Sequence, residues 1–194
     1  MEKAEARRLI RRRIRELGTE ERRRLDAEIC RRWLALAEYA RARVVLAYFP
    51  MPDEIDTWPI IRQALTDGKK VAAPRSHMDT GRMSIWAVTG RETDVRLAGG
   101  LGSPEPTGSV EVDPAEVDIV LVPGRAFDRA GNRLGRGAGF YDGFLGRDAP
   151  RAYRAAAAYG GQILDEVVHD DTDEPMDAIV TESETIATGA RRLR

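Results

Sequence analysis

One stretch constrains this chain more than any other. It is Val117–Val122 (VDIVLV) running straight into Pro123–Arg147 (PGRAFDRAGNRLGRGAGFYDGFLGR). A nearly unbroken apolar run of this length belongs to a strand buried on both faces, as in a parallel sheet. A strand therefore feeds a glycine-rich turn. There Gly131, Gly135, Gly137 and Gly139 alternate with Arg133 and Arg136, so the backbone can fold tightly while two permanent positive charges stay beside it. That combination suits polyphosphate. Phe140–Leu145 reads as the start of a helix, whose free N–H groups and positive dipole end would face the same anion. No Gly-Lys-Ser/Thr closes the turn, and its glycine spacing departs from the dinucleotide fingerprint. On spacing alone, a glycine-rich surface loop with solvated arginines stays open as an alternative.

Composition narrows the setting. At 194 residues, with 42% apolar and 32% charged residues, the chain has the size and make-up of one globular domain spanning 1–194. The net charge is −1, because arginines are matched by acids, which argues against a protein that coats nucleic acid. Cys30 is the only cysteine, so no internal disulfide can form, and a reducing cytoplasm is expected. Nowhere do eighteen apolar residues run together, the N-terminus has no apolar signal core, and Glu2, Glu5 and Glu16 count against an organellar address. A cytoplasmic protein without a membrane segment, and monomeric, is the expectation.

In chain order, Ala6, Ile10, Ile14 and Leu17 recur at helical spacing and Gly18 offers a stop. Thr19 then offers an N-cap for a second helix with the stripe Leu25, Ile29, Trp33, Leu36. Trp33 and Cys30 are expected in the core. Arg43–Phe49 reads as the first buried strand, and the loop after it should lie where open parallel sheets bind ligands. The loop acids Asp53, Glu54 and Asp56 fit either helix capping or a site. Thr57–Leu65 gives a helix ended by Gly68, Lys70–Pro74 a strand, and Met83–Val88 a further, edge strand. Arg75 follows a strand end, Trp86 either lines a cleft or packs, and His77 reads as a loop histidine. With His169 the only other histidine, the sequence shows no zinc-ligand cluster. Arg91–Pro114 reads as a long irregular connection, and Thr185–Arg194 as a tail with little structure. The predicted fold is α/β: a mostly parallel sheet flanked by helices on both faces, with two N-terminal helices.

Over some twenty consecutive positions the organising segment resembles the signature PG-x-AFD-x-x-GNRLGRG-x-G-[YF]-YD-x-[FY]-L of the 5-formyltetrahydrofolate cyclo-ligases, and the chain from Lys3 to Glu182 can be laid on the family pattern. The resemblance implies an enzyme that uses ATP and Mg2+ to convert 5-formyltetrahydrofolate to 5,10-methenyltetrahydrofolate. By that resemblance ATP would be bound by Lys3, Arg7 and the run Arg133, Leu134, Gly135, Arg136, Gly137, Ala138, Gly139, Phe140 and Tyr141. Folate would be bound by Phe49, Glu54 and Arg136 to Phe140, metal by Asp142 and Asp173, and the chemistry would be assisted by Arg136 and Arg133. Asp170 and Asp171 read as solvated neighbours, GLGSPEP resembles a segment crossing near the folate site, and the alanine run Arg154–Tyr159 is expected to be a strand although propensity favours helix. Three departures stand out: Phe140 where Tyr is common, Arg125 where the family is usually apolar, and Val168 near a common Pro. Two other functions fit parts of the sequence: a divergent paralogue using the same ATP site on another substrate, and a non-catalytic RNA-binding protein working through the arginine-rich first helix.

Overall fold

The computed structural model describes residues 1–90, 94–98 and 102–189. Two helices open the chain, α1 (Lys3–Glu16) and α2 (Thr19–Leu34). Their buried stripes are those expected, Ala6, Ile10 and Ile14 on α1 and Leu25, Ile29, Cys30 and Trp33 on α2. Thr19 is already inside α2, and Gly18 takes the N-cap position in extended backbone, so no hydroxyl caps this helix. A short α3 (Ala37–Arg41) leads into β1 (Val44–Leu46), shorter than the predicted strand, although Ala47, Tyr48 and Phe49 stay buried beyond it. Then come α4 (Trp58–Thr66), with proline in its first turn, β2 (Lys70–His77) and β3 (Arg82–Ala87). His77 closes a strand rather than sitting in a loop.

The connection expected to be irregular holds a hairpin, β4 (Val95–Ala98) and β5 (Ser103–Pro106), paired antiparallel. Residues 91–93 and 99–101 of that stretch lie outside the described residues. Two backbone anchors explain the order: Arg75 Nε donates to the Pro106 carbonyl at 2.9 Å, and Glu105 Oε1 accepts from the Ser76 N–H at 3.0 Å. Next are β6 (Ile119–Val122), β7 (Ala126–Asp128), β8 (Arg133–Leu134), α5 (Phe140–Gly143), β9 (Tyr153–Ala157), β10 (Ile163–Leu164), β11 (Ala178–Val180) and β12 (Thr185–Ala187).

The main sheet has the order β12-β11-β9-β6-β1-β2-β3. Its five inner strands are parallel, and an antiparallel strand closes each edge. Successive residues alternate between two cores, as the pleat requires. Val45, Ile119, Leu121, Ala155 and Ala157 face the core that α1, α2 and α4 complete, while Leu46, Val120, Val122 and Ala156 face one completed by Phe140, Phe144 and Leu145. Helices thus flank both faces unequally: all the long ones lie on one. The helix expected from Phe140 is a single turn running into a π-helical turn, Phe144–Asp148. The alanine run is a strand, as the sequence reading had it, because small side chains let Trp33 pack close, its Nε1 3.4 Å from the Ala155 carbonyl. Thr185–Ala187 is not tail but β12, held by the buried Ile186. Residues 190–194 lie outside the described residues. Among the described residues no helix is long and apolar enough to cross a membrane.

Candidate active site

At the carboxyl ends of β1 and β6, where ligands bind open parallel sheets, lies a cavity of about 350 Å3, within the usual range for small-molecule sites. The glycine segment forms its floor. β7 and β8 make a tight antiparallel pair, with β10 parallel to β7, and the turn between them is closed by Asp128, whose Oδ1 accepts from the N–H groups of Ala130 and Asn132 at 3.0 Å each. Arg133 is therefore on a strand, its side chain only 4% exposed, with Nη2 donating to Asp142 Oδ1 at 2.6 Å. Its Nε is buried with no hydrogen-bond partner among the described residues.

Beyond Leu134 the backbone leaves the sheet. Gly137 has φ +106°, where a side chain is strained, and a Cβ there would sit 3.4 Å from Arg7 Nη2. Arg7 Nε donates to the Gly135 carbonyl at 3.0 Å, so α1 is tied to the turn. Arg136, 34% exposed, reaches the opposite wall, where Nη2 and Nε donate to Glu54 Oε1 at 2.8 and 3.2 Å and Nη2 to Asp53 Oδ1 at 3.3 Å. Because α5 is one turn long, the positive potential here comes from arginines and loop amides rather than from an extended helix dipole.

The wall facing the turn is the loop after β1. Phe49 stacks on Trp58 with ring centroids 5.0 Å apart, and Glu54 Oε2 accepts from the Met51 N–H at 3.0 Å. Arg22 on α2 holds this loop by donating to the carbonyls of Pro52 and Glu54, each at 2.8 Å. At the rim, Lys3 Nζ lies 3.3 Å from Asp173 Oδ2 and 3.4 Å from Asp170 Oδ2. Burial pulls the Lys3 ammonium down, but the two carboxylates outweigh it and hold it above its ordinary value.

Every predicted site residue lines this one cavity: Lys3, Arg7, Phe49, Glu54, the run Arg133 to Tyr141, Asp142 and Asp173. Asp170, read as a solvated neighbour, also lines it and pairs with Lys3 while remaining largely exposed. Sequence reasoning did not pick out Tyr48 and Met51, which follow β1, or Ser76 on β2 as lining residues. The Tyr48 hydroxyl, pushed well up by full burial, and the Tyr141 hydroxyl, also pushed up by burial, both feel Glu54. Arg125, noted only as a departure, contributes to the lining as well. Trp86 does not line the cavity; it packs under Arg75, whose guanidinium carbon lies 3.9 Å from the ring centroid. Cys30 is buried beside Asp56, its thiol pushed up to about 12, so its role is packing.

Among the described residues no three His, Cys, Asp or Glu side chains cluster as a ready-made metal cage. Magnesium does not need one, since one or two carboxylates with substrate phosphates and water suffice. Asp142 and Asp173 fit that donor set: Asp142 accepts from Arg133 and from the Glu174 N–H on Oδ1 alone, and Asp173 is hydrogen-bonded through Oδ2.

The fold and site define an α/β protein with an arginine- and glycine-lined cavity, suited to anions on one wall and bearing an acid and an aromatic on the other. A model of the 5-formyltetrahydrofolate cyclo-ligase family matches residues 1–182. The chain belongs to that family, a family of ligases. It is 33% identical over 159 residues to the 5-formyltetrahydrofolate cyclo-ligase of Mycolicibacterium smegmatis, covering 80% of this chain and 81% of that one. With the mouse protein of the same name it shares 28% over 182 residues, 89% and 90% of the two chains. Among solved structures, that of Aquifex aeolicus 5,10-methenyltetrahydrofolate synthetase superposes with a TM-score of 0.82 at 31% identity, covering 100% of this chain and 95% of that one. The Mycoplasma pneumoniae synthetase, at 21% identity, shares the fold with a TM-score of 0.76 over 94% of this chain and 99% of its own.

Proposed function

We propose that this protein closes 5-formyltetrahydrofolate to 5,10-methenyltetrahydrofolate at the expense of ATP, releasing ADP and phosphate. The observation that carries this is the meeting of the Arg133–Asp142 segment and the Phe49–Glu54 loop in one cavity, with Arg136 spanning both. A formamide oxygen leaves poorly, so it must first be converted into a leaving group. The formyl oxygen attacks the γ-phosphorus and ADP departs; N10 then adds to the formyl carbon, loses its proton, and the oxygen leaves as phosphate.

Phosphoryl transfer asks the protein chiefly for position and for positive charge around the equatorial oxygens. Arg136 is the mobile charge for that task, Arg133 the fixed one, and Lys3 and Arg7 extend the positive surface over the nucleotide. The flexible backbone from Gly135 to Gly139 lets amides approach the phosphate chain. Glu54 accepts hydrogen bonds from the folate's pterin edge, with Phe49 as its apolar wall. Asp142 and Asp173 would hold Mg2+, which supplies charge neutralisation of the phosphates. Phe140 offers an aromatic face without a hydroxyl.

The test mixes purified protein, 5-formyltetrahydrofolate and MgATP and follows the near-ultraviolet absorbance of the methenyl product, with ATP omission and Asp142→Asn as controls. Product that needs ATP and falls at least about 100-fold in the variant supports the reading. Absence of product despite tight MgATP binding rejects it in favour of another acceptor.

A further inference from the structure

Arg136 belongs to a row of four charged side chains that alternate in sign, and the reaction above uses only two of them. Arg125, 7% exposed, places Nη1 2.6 Å from Asp53 Oδ2, in a close ion pair. The other oxygen of Asp53 accepts from Arg136 Nη2 at 3.3 Å, and the same nitrogen donates to Glu54 at 2.8 Å. The order is Arg125, Asp53, Arg136, Glu54. Arg22 fixes the backbone that carries both acids. Burial pushes the Asp53 carboxyl up, but Arg125 and then Arg136 more than reverse this, so it stays ionised. Arg125 is nearly shut off from water, whereas Arg136 is about one-third exposed.

We propose that Arg125 and Asp53 form a positioning pair that sets how firmly Arg136 rests against the acidic loop, so that Arg136 turns to the phosphate chain once substrate occupies Glu54. This rests on the assignment of Glu54 to folate and Arg136 to phosphate. One guanidinium cannot serve two carboxylates and a transferring phosphoryl group together. A substrate donating hydrogen bonds to Glu54 displaces Arg136 there, and what remains is the longer contact to Asp53, whose charge Arg125 already shares. The two substrates then favour each other's binding, by a reciprocal factor. Arg125 thereby weakens the rest position, an adjustment that an apolar residue at 125 cannot make.

Inorganic tripolyphosphate is the probe, titrated calorimetrically without folate. Arg125→Met leaves Asp53 to Arg136 alone, and affinity should fall about 3- to 10-fold, the range of a partly exposed ion pair coupled to binding. Asp53→Asn combined with Arg125→Met removes both charges, keeps net charge unchanged, and should tighten binding about 3- to 10-fold over wild type. Asp53→Asn alone would leave a buried arginine unpaired and risk the fold; replacing the whole pair by uncharged groups is tolerated far better. Circular dichroism and a melting curve check each variant. Opposite signs for the single and double variants support the pair, and no folding defect produces a gain in affinity. A folded double variant that binds no tighter than wild type, or two variants shifting the same way, overturns it. In wild type, added 5-formyltetrahydrofolate should tighten tripolyphosphate binding, and an unchanged affinity also overturns the inference. If wild type makes methenyl product while the signs fail, only the inference falls; if it makes none, the functional reading falls and the variant signs still decide the pair.

Discussion

Arg133 and Arg136 stand three residues apart on one segment, yet they occupy different worlds. Arg133 belongs to the stem, where β7 and β8 pair, and its guanidinium is sealed against Asp142. Arg136 belongs to the tip, where glycines replace sheet contacts and the side chain spans a cavity to two carboxylates. The lesson is a division of labour set by burial: a sealed ion pair costs several kcal/mol to break, whereas a partly solvated one contributes little to stability and can exchange partners. On the proposed function, the stem holds shape and the tip supplies the movable charge.

The sharpest way to break this contrast is Arg133→Met. It strands Asp142 next to the glycine turn, and the expected loss is about 2–4 kcal/mol, below the fully buried range because Asp142 keeps some solvent contact. Melting temperature should fall by roughly 5–12 °C, with turnover abolished, read by calorimetry and the methenyl absorbance. Arg136→Met sharpens it from the other side: turnover should drop about 100- to 1,000-fold, while the melting temperature moves less than about 2 °C. Should Arg136→Met instead destabilise as much as Arg133→Met, the division fails.

Gly137→Ala tests the tip's backbone. A φ of +106° strains any side chain, and the loop should relax away from Arg7, raising KM for ATP about 3- to 10-fold. The smallest effect is acid sensitivity. The folded-state pKa of Asp53 is lowered, so its contribution to stability is fully present above its unfolded value of about 4 and is lost as pH falls through the folded value. Between pH 5 and pH 3, urea midpoints of wild type should fall further than those of Asp53→Asn with Arg125→Met.

Much of this was legible beforehand because it depends on local rules. The stripe on α1 and α2 follows helical spacing, β6 follows from an apolar run, and the predicted cavity residues follow from one motif-bearing segment plus three short matches at Lys3, Glu54 and Asp173. What stayed hidden depends on long-range partners. The β4–β5 hairpin is ordered by Arg75 and Glu105, one anchored from β2 and one reaching back to it. The strand at Thr185–Ala187 exists because β11 offers an edge and Ile186 a buried anchor. The helix start read at Phe140–Leu145 is helical, but after one α turn it widens into the π turn Phe144–Asp148, and glycines at 143 and 146 supply the physical reason, since each lowers α-helix stability. Arg125 was visible only as an oddity until its partner Asp53, far away in sequence, came beside it.

The order of the main sheet has a consequence for how the polypeptide is made. β1, the sheet's earliest strand in chain order, is near the middle; β2 and β3 are laid on one flank, and β6, β9, β11 and β12 then extend the other, each outermost when it arrives. No newcomer has to be threaded between two strands already joined. Only when Asp170 and Asp173 emerge can they meet Lys3, which precedes every other residue of the site in the chain, so the cavity's rim is the last part of the site to close.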